Sequence, residues 1–267
     1  MDVTKTRKKI MSRIFITGSA DGLGKMTAQL LVAEGHKVVL HARDNRRAND
    51  AMEATPGAEG AIAGDLSAIK ETVKVAERAN ALGVFDAVIH NAGVGYREHK
   101  RIATVDGLAS VFAVNGLAPY ILTCLMTRPK RLIYVSSGLH RQGNPSLDDI
   151  AWQNRPWSGF NAYADSKLYN VILAFAVARK WPGIFSNALD PGWVATKMGG
   201  PGAPDNMEDG IETQAWLATS NDDEAMANGQ YFYHKKFRVP NPLAAKAGIQ
   251  EKFLEECRRF SGVSFPV

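Results

Sequence analysis

Cysteine is scarce in this sequence, and long apolar runs are missing from it. The 267 residues include two cysteines, Cys124 and Cys257, which lie far apart and in no metal-ligand spacing. They predict neither a disulfide framework nor a metal site, and they are typical of a reducing compartment. No apolar stretch reaches the roughly 18 residues of a membrane span, and the basic start lacks the apolar middle of a signal peptide. We therefore expect a cytoplasmic protein with no membrane partner and no metal.

A strong excess of one charge is also lacking. The net charge is +5, and the basic residues are dispersed apart from the start of the chain and the pair Arg46 and Arg47, so no nucleic-acid partner is expected. Residues 1–11, which contain "MDVTKTRKKI", are predicted to be a disordered basic extension. The chain is 45% hydrophobic, and residues 12–267 suit a single α/β domain with a large core.

Apolar, β-branched runs alternate with helical patterns along the chain. The runs are "RIFITG", "KVVLHA", "GAIAGDL", "FDAVIHNAG", "RLIYVSSG", "IFSNALDPG" and "QYFYHK". This alternation predicts a doubly wound parallel α/β sheet, the Rossmann fold, in which ligands bind at the carboxyl ends of the strands. The irregular segments at about 138–160 and 193–210 follow strands, so we expect them to be the substrate loops.

Three glycines follow the first strand closely, in "TGSADGLG" at residues 17–24. Gly18 permits a sharp turn off the strand, Gly22 permits a ligand to approach the backbone, and Gly24 permits the next helix to pack tightly on the sheet. The helix N-terminus would then offer N–H groups to a diphosphate. A turn without a ligand is the alternative, but its place after the first strand of an alternating chain favours a dinucleotide site.

The end of the second strand predicts which dinucleotide binds. An acidic residue there accepts hydrogen bonds from the ribose 2′-hydroxyl of NAD, whereas the 2′-phosphate of NADP requires arginine. Ala42 occupies the acidic position, Arg43 follows it, and Asp44 comes too late. The pattern predicts NADP as the cofactor, with Arg43 as a solvated surface residue being the alternative.

Tyr163 and Lys167 are four residues apart at the start of a long helical pattern, so they share one helix face. An ammonium beside a phenol favours the phenolate and lowers the tyrosine pKa, which makes the hydroxyl a usable proton donor and acceptor. The preceding strand ends in Ser136 and Ser137, whose hydroxyls are placed to bind a substrate oxygen.

The same spacing occurs in two other pairs, Tyr96 with Lys100 and Tyr231 with Lys235. A tyrosine and a lysine four apart are a weak signal on their own, because such pairs arise by chance. The first of these pairs follows glycines in a loop, and the second lies in a strand-like aromatic run. Only Tyr163 opens a helix, and it is therefore the predicted catalyst.

These motifs together resemble those of the classical short-chain dehydrogenase/reductase family, over nearly the whole chain. "TGSADGLG" is similar to the family's glycine motif, "HNAGV" to its strand-four motif, "YADSK" to its catalytic pair and "DPGWVATKM" to its nicotinamide-side loop. The resemblance implies that Ser137 orients a substrate carbonyl, that Tyr163 transfers the proton, and that Lys167 binds the nicotinamide ribose. It further implies that Asn115 holds a water that links Lys167 to solvent.

The resemblance also implies a set of residues that bind the cofactor. Asp65 is expected to contact the adenine, Asn91 to lie beside the cofactor, and the segment Pro191 to Thr196 to cover the nicotinamide. The full predicted NADP set is Thr17, Gly18, Ser19, Asp21, Gly22, Leu23, Arg43, Asp65, Leu66, Asn91, Ala92, Gly93, Tyr163, Lys167, Pro191, Gly192, Val194 and Thr196.

Large apolar side chains are frequent in the segments that follow strands: Tyr96, His140, Trp152, Trp157, Phe160, Trp193 and Met198. They favour a bulky, largely apolar aldehyde or ketone, or the matching alcohol, as the small-molecule substrate. The residues predicted to touch it are Ser137, His140, Tyr163 and Trp193.

The resemblance implies an oxidoreductase that transfers a hydride between NADP(H) and a carbonyl or alcohol. "SSGLH" and "SKLYNVILA" are more similar to the retinol-dehydrogenase-like branch than to the fatty-acid reductases. A non-catalytic NADP-sensing regulatory protein of the same fold is the alternative, although the serine, tyrosine and lysine that such a protein would lose are all present. A nucleotide-sugar epimerase would need a differently spaced glycine motif and a longer substrate domain. A homo-oligomer is compatible with the sequence.

Overall fold

Eight strands form one sheet in the computed structural model, which describes residues 11–267. In chain order they are β1 (Arg13–Ile16), β2 (Lys37–Ala42), β3 (Gly60–Ala63), β4 (Ala87–His90), β5 (Arg131–Val135), β6 (Phe185–Asp190), β7 (Tyr231–Tyr233) and β8 (Lys236–Phe237). Their order across the sheet is β3-β2-β1-β4-β5-β6-β7-β8. The first seven strands pair in parallel, and β8 pairs antiparallel with β7.

The helices cover both faces of this sheet. They are α1 (Gly22–Ala33), α2 (Asn45–Ala54), α3 (Ile69–Ala81), α4 (Ser110–Phe112), α5 (Ala118–Leu125), α6 (Gly159–Lys180), α7 (Met207–Thr219) and α8 (Ala247–Ser261). Alternate residues of β1 serve separate cores: Phe15 packs with α3, α5 and α6, whereas Ile14 and Ile16 pack with α1 and α7. The predicted doubly wound parallel sheet, the Rossmann fold, is therefore confirmed, with one antiparallel strand at its edge.

The strand order reverses between β1 and β4, which are neighbours in the sheet. The crossovers leave the sheet on opposite sides at this point, and a crevice opens at the carboxyl ends of the strands. The glycine turn between β1 and α1 lies at this crevice, so the topology itself places a ligand site there.

One predicted helix is interrupted. The pattern "GLASVFAVNGLAPYILTCL" reads as a single helix, but a π-helical turn at Ala113–Leu117 separates α4 from α5. Pro119 lies in the first turn of α5 and has no N–H to donate to the carbonyl of Asn115, four residues earlier. The wider turn contains Asn115, and such π-helical turns are frequent at functional sites.

Two predictions concern a membrane-spanning helix and the N-terminal extension. No helix within residues 11–267 is long and apolar enough to cross a membrane. The predicted disordered extension, residues 1–11, lies outside the described residues except for Met11, which is exposed. Its disorder stays a prediction.

Candidate active site

The glycine turn has the geometry that its predicted roles require. Gly18 has a φ of +64°, and a Cβ there would lie 2.8 Å from the Cα of Ala92. A Cβ on Gly24 would lie 2.3 Å from the side-chain nitrogen of Asn91 and 2.5 Å from the carbonyl oxygen of Gly18, so only glycine lets the start of α1 pack this closely. Gly22 is different: a Cβ there would have a single near neighbour, a methyl group of Thr196 at 3.9 Å. The space beside Gly22, at the N-terminus of α1, is open to a ligand.

Two predicted cofactor residues hold the turn together instead of facing its open side. The hydroxyl of Thr17 accepts the N–H groups of Asn91 and Ala92, each at 3.0 Å. The hydroxyl of Ser19 donates to the carbonyl of Ile16 at 3.0 Å. Thr17 and Ser19 are both buried and do not line the cavity described next. Internal hydrogen bonds therefore use both hydroxyls, and the place of Thr17 and Ser19 in the cofactor set stays a prediction.

A cavity of about 630 Å³ opens beside the glycine turn. Fourteen of the predicted cofactor residues line it: Gly18, Asp21, Gly22, Leu23, Arg43, Asp65, Leu66, Asn91, Ala92, Gly93, Tyr163, Lys167, Pro191 and Thr196. An open glycine turn, the N-terminus of α1 and nearby cations suit a dinucleotide diphosphate. The residues present therefore fit a nicotinamide dinucleotide, and we call this space the dinucleotide cavity.

Sequence reasoning missed several residues of the dinucleotide cavity, including His41, Arg47 and Lys197. Lys197 forms an ion pair with Asp21 from across the cavity, and Arg47 Nη2 lies 3.6 Å from the same carboxylate. Lys197 belongs to the "DPGWVATKM" segment after β6, but its ion pair with Asp21 joins segments far apart in sequence. Arg47 comes from α2, where no motif marks it, and only the general rule that ligands lie at strand ends pointed to that region.

The end of β2 agrees with the register inferred from the sequence. Ala42 is the last residue of the strand, and Arg43, with a largely exposed side chain, lines the dinucleotide cavity. The carboxylate of Asp44 accepts the N–H of Arg47 at 2.8 Å and is the N-cap of α2. Asp44 therefore serves as a helix cap and not as a strand-end acceptor for a ribose hydroxyl.

A second cavity, of about 560 Å³, adjoins the first. Both are lined by Leu23, Ser136, Tyr163, Pro191, Thr196 and Met198. The second cavity adds Ser137, large apolar side chains, and the predicted residues Gly192 and Val194. Tyr163 thus stands at the junction of a site that fits a dinucleotide and an apolar space, which we call the substrate cavity.

Tyr163 and Lys167 lie on one face of the first turns of α6, as their spacing predicts. The Lys167 ammonium lies 5.5 Å from the centre of the Tyr163 ring and donates to the carbonyl of Val135 at 2.9 Å. The hydroxyl of Ser136 donates to the Lys167 carbonyl at 2.8 Å, and the Ser137 hydroxyl hydrogen-bonds to Tyr163. The end of β5 therefore holds both catalytic candidates of α6.

The pKa values of this pair differ from the expectation. Burial raises the pKa of Tyr163 well above its usual value, and the hydrogen bond from Ser137 offsets only part of this rise. Burial also lowers the pKa of Lys167 to about 8, with the carboxylate of Asp190 opposing that change. The expected lowering of the tyrosine pKa is therefore wrong for this structure, because desolvation by burial is the largest influence on this hydroxyl.

Asn115 is fully buried between α6 and the "NAGV" segment that follows β4. Its side-chain oxygen accepts the N–H of Val94 at 2.8 Å, and its side-chain nitrogen donates to the Val94 carbonyl and to the Ser166 hydroxyl, each at 3.0 Å. The side chain thus fixes the loop after β4 against the helix of Tyr163. Because these bonds use the side chain, a water would have to be held by its backbone carbonyl, which Pro119 leaves without an α-helical donor. The water-holding role stays a prediction.

The two rival tyrosines lie in different environments. Tyr231 is buried in β7, and its hydroxyl has no hydrogen-bond partner among the described residues. Lys235, its partner in sequence, pairs with Glu212. Tyr96 lines the substrate cavity, and its ring centre lies 5.6 Å from that of Tyr163. Tyr163 alone combines a helical lysine partner with a place in both cavities.

The predicted substrate contacts divide into two groups. Trp193 is 54% exposed and lines the substrate cavity, where its ring nitrogen donates to the carbonyl of Gly199. His140 is completely buried and lines neither cavity. One ring nitrogen lies 2.7 Å from the carbonyl of Ser137, and the other accepts the N–H of Asn241. The ring therefore supports the backbone of Ser137, and the predicted contact of His140 with substrate stays a prediction.

The predicted substrate loops contribute unequally. The segment 193–210 provides many lining residues, whereas 138–160 provides only its two ends. Trp152 is buried, its ring stacked under the guanidinium of Arg155, and Trp157 donates to the carbonyl of Glu98. Arg155 in turn pairs with the buried Asp165 on α6. The middle of the first segment therefore anchors α6 and does not touch the substrate cavity.

Comparison with known proteins identifies the family. Residues 12–147 match the family model for short chain dehydrogenases. The chain is 44% identical over 260 residues to the short-chain dehydrogenase chyC of Penicillium rubens, covering 96% of this chain and 100% of that protein. It is 28% identical over 288 residues to retinol dehydrogenase 13 of Homo sapiens, covering 95% and 85%. A crystal structure of an uncharacterized protein from Mycobacterium paratuberculosis has a TM-score of 0.81 at 24% identity, covering 96% of this chain and 95% of that one.

The chain belongs to the short-chain dehydrogenase family, as its motifs predict. It is an oxidoreductase of a family that uses nicotinamide cofactors and acts on small molecules. Retinol dehydrogenase 13 is a relative at lower identity than chyC.

Proposed function

We propose that the protein is an NADP-dependent carbonyl reductase, able to run as an alcohol dehydrogenase, for bulky and largely apolar substrates. The observation that carries this proposal is the position of Tyr163. Its side chain faces both the dinucleotide cavity and a substrate cavity lined by Tyr96, Phe160 and Trp193. A proton donor at this junction serves a reaction between a dinucleotide and an apolar carbonyl compound.

Ser137, Tyr163 and Lys167 have separate roles in the proposed reduction. When bound, NADPH would supply the hydride that reduces the substrate carbonyl. The hydroxyls of Ser137 and Tyr163 hold the carbonyl oxygen, and Tyr163 gives it a proton. Burial keeps Tyr163 protonated, which suits reduction. Lys167, although buried, holds an ammonium 5.5 Å from the centre of the Tyr163 ring, and this cation stabilises the phenolate left by proton transfer.

NADPH is expected to bind more tightly than NADH. Arg43 and Arg47 line the dinucleotide cavity near the end of β2, and Ala42 supplies no carboxylate to bind a ribose hydroxyl or repel a phosphate. Hydrogen bonds to charged groups contribute about 1.5 to 3 kcal/mol, or roughly ten- to a hundredfold in affinity. In fluorescence titrations, Arg43→Ala should weaken NADPH binding by that factor and leave NADH binding nearly constant.

The neighbouring Arg46 provides the matched control for this test. It is exposed and does not line the dinucleotide cavity. Arg46→Ala should therefore preserve the cofactor preference. Equal affinities of the unmodified protein for the two cofactors, or no effect of Arg43→Ala, would contradict the proposed NADP dependence.

The substrate class is tested by comparing kcat/KM at fixed NADPH for an aromatic or long-chain aldehyde and for a small keto acid. The apolar lining of the substrate cavity predicts preference for the aldehyde, since burial contributes about 25 cal/mol per Å² of apolar area. Preference for the keto acid would refute the apolar-substrate proposal. Tight NADPH binding without turnover of any carbonyl compound would favour the regulatory alternative. The cytoplasmic location and the oligomeric state stay predictions.

A further inference from the structure

A single arginine, Arg238, lies on the wall of the substrate cavity just after β8. Its guanidinium lies over the ring of Tyr233, with Cζ 4.6 Å from the ring centre, and its side chain is 46% exposed. Within residues 11–267 the guanidinium makes no hydrogen bond, and its nearest carboxylate oxygen, on Asp190, is 3.6 Å away. A group with five N–H donors is therefore fixed at the cavity wall by stacking, with its hydrogen-bonding capacity unused.

Asp190 is the nearest charged neighbour of Arg238. It ends β6, its side chain is 7% exposed, and one of its oxygens accepts the N–H of Gly192 at 3.0 Å. Asp205, which also lines the cavity, accepts the N–H of Trp193 at 2.6 Å. Lys167 lines the dinucleotide cavity but not this one. The charged groups on the wall of the substrate cavity are therefore one guanidinium and two carboxyl groups.

We propose that Arg238 is a specificity residue that binds a second, neutral carbonyl oxygen of the substrate, as found in a keto ester, a keto amide or a diketone on an apolar framework. This inference rests on the proposed carbonyl reductase function. The first carbonyl reacts at Tyr163, and the second accepts hydrogen bonds from the guanidinium across the cavity.

The neighbouring carboxyl groups decide between a neutral and an anionic partner for Arg238. A carboxylate on the substrate would lie beside Asp190 as well as beside the guanidinium, and like charges this close repel. A neutral carbonyl gains the charge-assisted hydrogen bond without that repulsion. The aromatic lining then accommodates the rest of the molecule, so the chemistry of this cavity matches a neutral dicarbonyl compound better than a keto acid.

The test uses three ketone probes that share a phenyl group. Ethyl benzoylformate carries a second, neutral carbonyl; propiophenone lacks it; benzoylformate carries an anion in its place. Arg238→Met should lower kcat/KM for the keto ester by about ten- to a hundredfold, while changing that for propiophenone by less than about threefold. Comparing each probe between variants cancels differences in intrinsic reactivity, and ethyl benzoylacetate repeats the test with a longer spacing.

Binding is measured alongside turnover, by quenching of tryptophan fluorescence, because Trp193 lines the same cavity. The unmodified protein should bind the keto ester more tightly than propiophenone, and Arg238→Met should abolish the difference. Lys236→Met is the matched control, since Lys236 is an exposed cation two residues away that does not line the cavity. Asp190→Asn should improve the binding of benzoylformate, because it removes the repelling charge.

The outcomes separate the two proposals. Equal effects of Arg238→Met on keto ester and ketone, or no effect on either, would refute the assignment of Arg238. The assignment would also be refuted if benzoylformate bound most tightly of the three probes and lost the most affinity in Arg238→Met, since Arg238 would then form an anion site. If no probe is reduced but the binding difference appears and depends on Arg238, the assignment stands and the proposed carbonyl reductase function fails. Arg238→Lys, which keeps a cation, should retain part of the preference.

Discussion

Replacing Tyr163 with phenylalanine is expected to lower turnover by about 10²- to 10⁴-fold, the usual contribution of a general acid. The substitution removes one hydroxyl from the junction of the two cavities and leaves the ring in place. NADPH affinity should stay nearly constant, because the glycine turn, Arg43 and Lys167 are untouched. The measurement is kcat from steady-state kinetics, with a fluorescence titration of NADPH on the same sample.

The two rival tyrosines supply the controls for this prediction. Tyr231→Phe removes a buried hydroxyl that lies outside both cavities, so kcat should stay within about twofold. Tyr96→Phe alters the wall of the substrate cavity, so its effect should fall on KM while proton transfer continues. Nearly full turnover in Tyr163→Phe would show that another group gives the proton, and a loss confined to Tyr96→Phe would identify that group.

The second large effect is expected in the dependence of stability on pH. Burial lowers the pKa of His41 and His140 to about 4 and that of His90 to about 3. In the unfolded chain these side chains titrate near the ordinary value of about 6.5. Below about pH 6.5 the unfolded state therefore binds more protons than the folded state, and the free energy of unfolding falls as the pH drops. The loss continues until the folded-state pKa values are reached, near pH 4 and below.

At pH 5.5 each of these histidines should contribute a loss of about 1.4 kcal/mol, or about 4 kcal/mol for the three, relative to pH 8. Burial raises the pKa of Asp165, Asp190 and Glu98, and these carboxyl groups oppose the loss of stability as the pH becomes acidic. Urea unfolding at the two pH values measures the difference in the free energy of unfolding.

A single substitution provides the comparison for this stability prediction. His90→Gln should reduce the loss of stability between pH 8 and pH 5.5 by about 1.4 kcal/mol. It should also lower stability at both pH values, because His90 is buried against Tyr134. His99→Gln removes an exposed histidine and should leave the loss as it is. Equal stability of the unmodified protein at pH 8 and pH 5.5 would show that the buried rings do become charged in the folded state.

His41 links this pH effect to the candidate site. Its Nδ1 accepts the N–H of Gly18 and its other ring nitrogen donates to the carbonyl of Gly64, each at 3.0 Å. Protonation of Nδ1 would end the bond to Gly18 and disturb the turn beside the dinucleotide cavity. NADPH affinity is therefore expected to fall together with stability below about pH 5.

The sequence by itself determined the sheet and the place of the site. Alternating apolar runs and helical patterns define strands and crossovers through local periodicity, and the topology then brings the strand ends together. Gly18, Gly22 and Gly24 could be interpreted in sequence because backbone conformation and close approach restrict the residue type. Tyr163 could be selected over two look-alikes because only its spacing falls on a helix.

The tertiary structure alone decided which side chains face the cavities. His140 follows a strand end like any site residue, but its ring turns inward to Ser137 and Asn241, and nothing in the sequence signals that direction. Arg238 and Lys197 lie far along the chain from the motifs they join, so their roles depend on contacts between distant segments. The pKa values of Tyr163 and Lys167 were likewise decided by burial, because desolvation depends on everything packed around a group and not on its neighbours in sequence.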